Sequence, residues 1–284
     1  MIKLKTKSVK IVVDNDNIDK LFALGKNKRR IREGVVDQLK GSLNTGEHFD
    51  AGIVVNKKDG KFRLIDGNHR YLAMKKYFEK NPNEKIELNL IYYEDLTPQQ
   101  EKEIYTKWNM GTKQNKNDFL QQYIDDIQIF KMMQGDFPCR VTVYPARDGV
   151  GLSRVLEAYN MATSKTGNFY GTMGGMDSVN FAKKLGETDF QYMYAYFAIH
   201  QAAFGSCENN AYVSGSVLPA LMRLWWENKL RFRPKKIVYY YRTRLFNKPR
   251  LLYWSRQHGR EAREEAYLEL KAIINKGFKQ GKFL

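Results

Sequence analysis

The sequence predicts an α+β protein: a small mixed sheet with helices in the first part of the chain, then a mostly α-helical region. Three observations carry this. As far as about residue 130, short β-branched runs alternate with runs whose apolar residues recur at helical spacing. Beyond that point most periodic segments have helical spacing. The 284 residues, 43% hydrophobic and 28% charged, suit one large or two modest domains with chain enough to bury a core. The expected division is residues 1–130 and residues 131–284.

Residues 10–14 (KIVVD) read as a short strand. Residues 32–43 set Val35, Val36, Leu39 and Leu43 on one helical stripe. Residues 53–56 form a strand, Asp59-Gly60 a hairpin turn of the preferred type, and residues 62–65 the returning strand. Residues 70–79 are a helix with Leu72, Ala73, Lys76 and Tyr77 at helical spacing, and residues 86–93 another strand. Thr97 caps a helix, with Pro98 at its first position and Gln100 completing a capping box. Asn117 or Asp118 caps the next helix, which runs to about Met133. Further helices are expected at 150–163, 178–185, 189–204, 216–229 and 260–276. Residues 141–144 and 237–241 read as short strands, and 167–175 (GNFYGTMGG) as a flexible loop. No internal repeat is visible.

Lys and Arg number 48 against 31 Asp and Glu, a formal net charge of +17. A surplus of that size points to a polyanion or an anionic membrane. It is unevenly spread. Residues 1–130 hold 24 basic and 19 acidic residues, residues 131–219 hold 7 of each, and residues 220–284 hold 17 and 5. A coding bias toward lysine would not concentrate in this way. The ordinary composition excludes wholesale disorder and a collagen-like chain. Cys139 and Cys207 do not make a disulfide framework and lack Cys or His companions at zinc spacing, which points to a reducing compartment. The first ten residues lack the apolar core of a signal peptide. The longest apolar stretch, 192–205, is interrupted by His200 and Gln201 and is too short to span a bilayer. The expected location is the cytosol, of a cell or of an infected host.

One segment carries chemistry: a strand that runs straight into Asp66-Gly67-Asn68-His69-Arg70 and then a helix. Gly67 lets the backbone turn and approach a ligand closely. The amides of Asn68, His69 and Arg70 open the helix, so they point outward at the positive end of its dipole. The side chains of His69 and Arg70 add donors in the same place. This is the pattern of an anion site. An ordinary strand–turn–helix corner, with Asp66 as a cap and His69 and Arg70 in solvent, would use fewer of these residues.

The segment resembles the signature of the ParB/sulfiredoxin superfamily, whose members carry a strand, then Gly-Glu-Arg-Arg, Gly-Cys-His-Arg or Asp-Gly-X-His-Arg, then a helix. Upstream, Asn27-Lys28-Arg29-Arg30 followed by residues 33–43 resembles the Arg-containing box before the family's first helix. Downstream, residues 96–109 resemble the helix that ends in an Asn-containing segment, and 117–123 the helix after it. The match runs over about residues 9–130. It implies a ParB/sulfiredoxin-like domain that binds a nucleoside di- or triphosphate, ATP, ADP or CTP, with Mg²⁺. Gly67, Asn68, His69 and Arg70 would hold phosphates, and Arg29 or Arg30 would reach them from the first box. Asn109 stands where the family places an Asn near phosphate or metal. Glu33 and Asp66 are the nearest carboxylates, either of which could orient Mg²⁺ or act as a base, with His69 as a further catalytic candidate. Glu33 reads equally as a first-turn acid that complements the helix dipole.

Two departures from the family narrow this. Sulfiredoxin chemistry needs a cysteine before the His-Arg pair, and Asn68 stands there. The partitioning members carry Gly-Glu-Arg-Arg, and Asn68-His69 replaces Glu-Arg, which sets this chain apart from their CTP clamp. The Asp-Gly-X-His-Arg form resembles phage, plasmid and archaeal members, among them small-molecule kinases and nuclease-like proteins.

The basic surplus near the end interleaves cations with aromatics. Arg231, Arg233, Lys235, Lys236, Arg242, Arg244, Lys248 and Arg250 alternate with Phe232, Tyr239, Tyr240, Tyr241, Tyr253 and Trp254. Cations of this density suit nucleic-acid phosphates, and the aromatics suit either stacked bases or a buried core. No clean apolar helix face opposes them, so a membrane surface is not indicated. Ser164-Lys165-Thr166-Gly167 lacks the frame of a phosphate loop. His48, His200 and His258 have no metal-ligand spacing. The expectation is a nucleotide-binding protein that acts on or with DNA, NTP-hydrolysing or nuclease-like. A phosphotransferase on a hydroxyl acceptor and a non-catalytic DNA-binding regulator are the alternatives.

Overall fold

The computed structural model describes residues 6–25, 31–45, 52–108, 115–164, 173–205, 207 and 211–276. The chain divides into two compact units, Met1–Gln114 and Asn115–Leu284. The first contains β1 (Lys7–Val13), α1 (Ile18–Leu21), β2 (Phe22–Ala23), α2 (Glu33–Asn44), β3 (Ile53–Lys58), β4 (Lys61–Asp66), α3 (Asn68–Phe78), β5 (Ile86–Glu94) and α4 (Pro98–Trp108). The strands form one mixed sheet in the order β1-β5-β3-β4-β2. β1–β5 and β3–β4 are antiparallel, and β3–β5 and β2–β4 parallel. The α+β class is as expected. β2 and α1 are too short to have shown a period in the sequence.

Both faces of the central strands are buried, which is why they read as unbroken apolar runs. Ile53, Val55 and Leu64 pack with Tyr71, Met74 and Phe78 of α3. The alternate residues Val54 and Ile65 pack with Leu96, Ile104 and Tyr105 on the other side. The Asp59-Gly60 turn has φ of 50° and 74°, both positive as the tight hairpin requires. The α4 capping box forms: the Thr97 amide donates to Gln100 Oε1 at 2.9 Å, and the Gln100 amide to Thr97 Oγ1 at 3.3 Å. Buried Asn56 ties β3 to that helix start. Its Nδ2 donates to the Leu96 carbonyl at 3.2 Å and to Glu101 at 2.7 Å, and its Oδ1 accepts from the Leu96 amide at 3.1 Å.

The second unit contains α5 (Lys116–Gln122), α6 (Gln128–Met132), β6 (Val141–Thr142), β7 (Val150–Gly151), α7 (Leu152–Thr163), α8 (Gly175–Lys184), α9 (Glu187–Phe204), α10 (Val217–Asn228), α11 (Pro234–Tyr240), α12 (Pro249–Arg256) and α13 (Arg260–Asn275). The division between units falls before residue 130 because α5 belongs to the second core. Leu120 and Tyr123 pack there with residues of α7 and α8. The helix expected from 117 to about 133 is three pieces, α5, a 3₁₀ turn at Ile124–Asp126 and α6, and its cap is Asn115, whose Oδ1 accepts from the Asn117 amide at 3.2 Å.

Residues 237–241 are helical, not a strand. Pro234 sets the first turn of α11, and the chain continues into a π-helix at Tyr241–Leu245. The buried residues there, Ile237, Tyr240, Tyr241 and Leu245, recur at helical spacing, which outweighs their β-propensity. Most of the loop expected at 167–175 lies outside the described residues; α8 begins at its last residue.

α10 packs against both α7 and α13. Glu157 of α7, only 7% exposed in its side chain, pairs with Lys116 and with Arg263 Nη2, the latter at 2.9 Å. Arg223 Nη1 donates to the carbonyls of Met161, Ala162 and Ser164 at 3.0, 3.2 and 2.9 Å, so it closes the carboxyl end of α7. Cys139 and Cys207 are joined as a disulfide, with Cα atoms 5.4 Å apart across a separation of 68 residues. The bridge departs from the reading of these two cysteines as those of a reducing compartment, and its pairing was not legible in the sequence. Among the described residues, no helix is long and apolar enough to cross a membrane.

Candidate functional site

The corner at Gly67 is built by a bulge and a glycine. Val54 pairs with Asp66, but Val55 pairs with Leu64, so Ile65 is an extra residue in β4. Such a bulge turns the strand end. Gly67 follows with φ of 109°. A Cβ there would sit 3.1 Å from two carbons of Ile53, so both conformation and space call for glycine. α3 starts at once, and the Tyr71 amide donates to the Gly67 carbonyl at 2.9 Å. The preceding amides of Asn68, His69 and Arg70 lie in the first turn, where no intrahelical acceptor exists. No side chain caps this helix start.

The side chains around the corner are held firmly. The Arg32 amide, at the start of α2, donates to His69 Nε2 at 3.1 Å. A neutral His69 therefore carries its proton on Nδ1. Arg70 donates through Nη1 to the Gly52 carbonyl at 2.7 Å and through Nη2 to Asp66 Oδ2 at 3.2 Å. Tyr71 Oη donates to Asp19 at 2.5 Å, and Lys75 pairs with the same carboxylate at 2.8 Å. Lys75 and then Tyr71 hold the Asp19 carboxyl below its usual range. Burial, then the bond to Asp19, raises the Tyr71 phenol.

Asp66, Gly67, Asn68, His69 and Arg70 line a cavity of about 110 Å³ together with Val35, Leu39 and Tyr105. The motif residues are thus brought together as expected. Val35 and Leu39 show in the sequence only as members of a helical stripe, and Tyr105 gave no separate signal. Asn68 and His69 are buried, and Asn68 Oδ1 has no hydrogen-bond partner among the described residues. Buried polar atoms are nearly always satisfied, so this oxygen marks a place for water or ligand. The cavity holds a few waters at roughly 30 Å³ each, and it is below the roughly 300 Å³ of a typical small-molecule pocket. It fits a phosphate-sized group, with the rest of any nucleotide outside it.

Glu33 is not at this cavity. It is exposed and pairs with Lys76 at 2.7 Å, beside Asp37 at 3.1 Å. Asp66 is the carboxylate that lines the cavity. Arg29, Arg30, Asn109 and His48 lie outside the described residues. No group of three or more His, Cys, Asp or Glu is clustered for metal binding among the described residues. His200 is buried in the second core, and burial lowers its imidazole to about 3.

The basic residues near the end divide by use. Arg231, Arg233, Lys235, Lys236 and Lys248 are exposed and make no ion pair among the described residues. Arg242 and Arg244 donate to the backbone carbonyls of Ala202 and Lys276. Arg250 grips Glu269 with both oxygens, at 2.6 and 2.9 Å, while Trp254 donates to the same carboxylate at 2.8 Å. That pairing raises the guanidinium and lowers the carboxyl. The aromatics divide too: Tyr240, Tyr241 and Trp254 are core, whereas Tyr239 and Tyr253 are exposed.

No protein-family model and no curated protein matches the chain. Two solved structures of a pNOB8-like ParB N-domain are similar to it. One has 14% identity and covers 95% of this chain and 99% of that chain, with a TM-score of 0.34. The other has 15% identity and covers 95% and 98%, with the same TM-score of 0.34.

Proposed function

We propose that the Gly67 corner binds phosphate of a nucleoside di- or triphosphate, and that the protein uses this nucleotide while acting on or with DNA. The observation that carries the reading is the small cavity lined by the first-turn residues of α3, whose amides face no intrahelical acceptor; the unpartnered oxygen of buried Asn68 accepts only, so it would take a water or Mg²⁺ that accompanies the phosphate. The first-turn amides supply donors to an anion. Asp66 would hold Mg²⁺. A single carboxylate suffices when phosphate oxygens and waters fill the remaining positions.

Asp66, in place of Glu33, would through that ion orient a water or an acceptor hydroxyl; without the ion it is the carboxylate placed to act as a base. Hydrolysis and transfer to a hydroxyl then differ only in which nucleophile enters. The exposed cations Arg231, Arg233, Lys235, Lys236 and Lys248 support a polyanion partner.

Calorimetry with ATP, ADP and CTP in Mg²⁺ tests the corner. His69→Ala and Arg70→Ala should each weaken binding by about tenfold or more, because both side chains line the cavity, His69 holds the start of α2 and Arg70 orients Asp66. Circular dichroism checks that the fold persists, since Arg70 also holds Gly52. Unchanged affinity in both variants would refute the reading. Labelled γ-phosphate recovered on water marks an NTPase, on a hydroxyl a kinase, and on neither a nucleotide-switched regulator. DNA affinity should fall steeply with salt and weaken on removing Lys235, Lys236 and Lys248.

A further inference from the structure

A second concave surface lies wholly in the second unit. Ala195, Ala198 and Ala202 of α9 line an open groove of about 730 Å³, with Leu230, Pro234 and Val238. From Tyr192 to Ala202 the lining follows α9 for about 15 Å, at 1.5 Å per residue. Small side chains at i, i+3 and i+7 let another backbone approach closely. Leu230 is 93% exposed, an apolar side chain with no role in the fold.

The electrostatics are one-sided. Lys229 and Lys235 are the charged residues of the lining, and among the described residues no carboxylate joins them. Arg231 and Arg233 follow at the groove's edge in sequence and are exposed. The ring faces are largely occupied already. Tyr192 packs edge-on against Trp226 at 5.0 Å, with Lys229 Nζ 5.2 Å from its ring centre. Tyr194 packs against Phe137 at 6.2 Å and Phe190 at 6.1 Å. Trp225 is 3% exposed. A nucleobase would find mostly aliphatic walls, two tyrosines already in ring contacts, and only the two lysines for its polar edge, whereas aliphatic side chains would bury no polar group of their own.

We propose that this groove docks an amphipathic helix of a partner protein, apolar on its docked face and bearing carboxylates along its flanks. Alanine floor, aliphatic walls and unopposed cations are the complement of such a helix. The inference is independent of the Gly67 corner.

The probes are labelled helical peptides of about four turns with Leu and Ile at i, i+3, i+4 and i+7, the spacing of groove-bound helices. Their flanks carry Glu, Gln or Lys, and a scrambled Glu peptide controls for charge alone. Fluorescence anisotropy on the full chain should rank Glu over Gln over Lys, with the scrambled peptide not bound. Leu230→Ser and Lys235→Glu, both at exposed positions, should each weaken the Glu peptide by about tenfold. Failure of every peptide to bind, equal binding of the scrambled peptide, or unchanged affinity in both variants would overturn the proposal. So would loss of single-stranded DNA binding in Leu230→Ser without loss of peptide, which assigns the groove to nucleic acid. A doubled mass in light scattering that Leu230→Ser abolishes would assign it instead to a second copy, whose α13 exposes Glu261, Glu265 and Leu268.

Discussion

The Gly67 corner and the α9 groove are built from opposite materials. At the corner, a cavity of about 110 Å³ is lined by polar residues, Asn68 and the hydrogen-bonded Asp66, His69 and Arg70. On α9, an open groove of about 730 Å³ is lined mostly by alanines, aliphatics and aromatics, with lysines as its only charges among the described residues. The corner belongs to the part of the chain with little net charge, and the groove to the part with most of it. Charge surplus and anion site are therefore separate properties here. A phosphate-sized site is made by backbone amides and a few oriented side chains, which need no surplus. A surplus of exposed lysine and arginine sets the field around a surface without giving it a shape. Some of that surplus is also spent within the fold, as Arg250 on Glu269 shows.

Four substitutions test this contrast. The largest effect should come from Glu157→Ala in the second unit. It leaves Arg263 buried without its carboxylate, and loss of one partner of a buried pair costs about 3–5 kcal/mol. Urea denaturation would read it, with the first unit's transition unchanged if the units unfold separately. Next is Gly67→Ala, which puts a Cβ on a left-handed residue 3.1 Å from Ile53. The strained backbone alone costs about 1–2 kcal/mol. Nucleotide binding should fall with it, while peptide binding on α9 should not. A corner that tolerates alanine with full nucleotide affinity would contradict the geometry described.

A pH effect follows from His200. Burial lowers its imidazole from 6.5 to about 3, so the native state keeps it neutral where the unfolded chain takes up a proton. Its contribution is complete above pH 6.5 and is lost as pH falls toward 3. His200→Leu should flatten the acid slope of stability in that window by up to about 1.4 kcal/mol per pH unit. Thermal unfolding between those limits measures it, and an unchanged slope would mean that His200 is not the group responsible. The smallest stability change, within about 0.5 kcal/mol, is expected for Leu230→Ser, because the side chain is exposed. A larger loss would show that the groove wall supports the fold rather than a partner.

Local rules were legible in the sequence wherever one short segment decides the outcome. The Asp59-Gly60 turn, the Thr97–Gln100 capping box, the strand–Gly67–helix corner and the α+β class all follow from neighbouring residues, and all are present. Residues 237–241 misled because β-branched and aromatic residues favour strands on average, while Pro234 and the packing of Ile237, Tyr240, Tyr241 and Leu245 favour a helix here. α5 could not be assigned to its core, because periodicity shows that a face is apolar without showing what covers it. Tyr105 at the cavity, the Cys139–Cys207 bridge, the Glu157–Arg263 pair and the α9 groove each join residues distant in the chain. The corner was readable from five consecutive residues, because a glycine at positive φ and the first turn of a helix are local properties. That Asp66 rather than Glu33 lines its cavity, and that cations near the end of the chain flank an apolar groove, followed from packing, because side-chain proximity is not set by spacing along the chain.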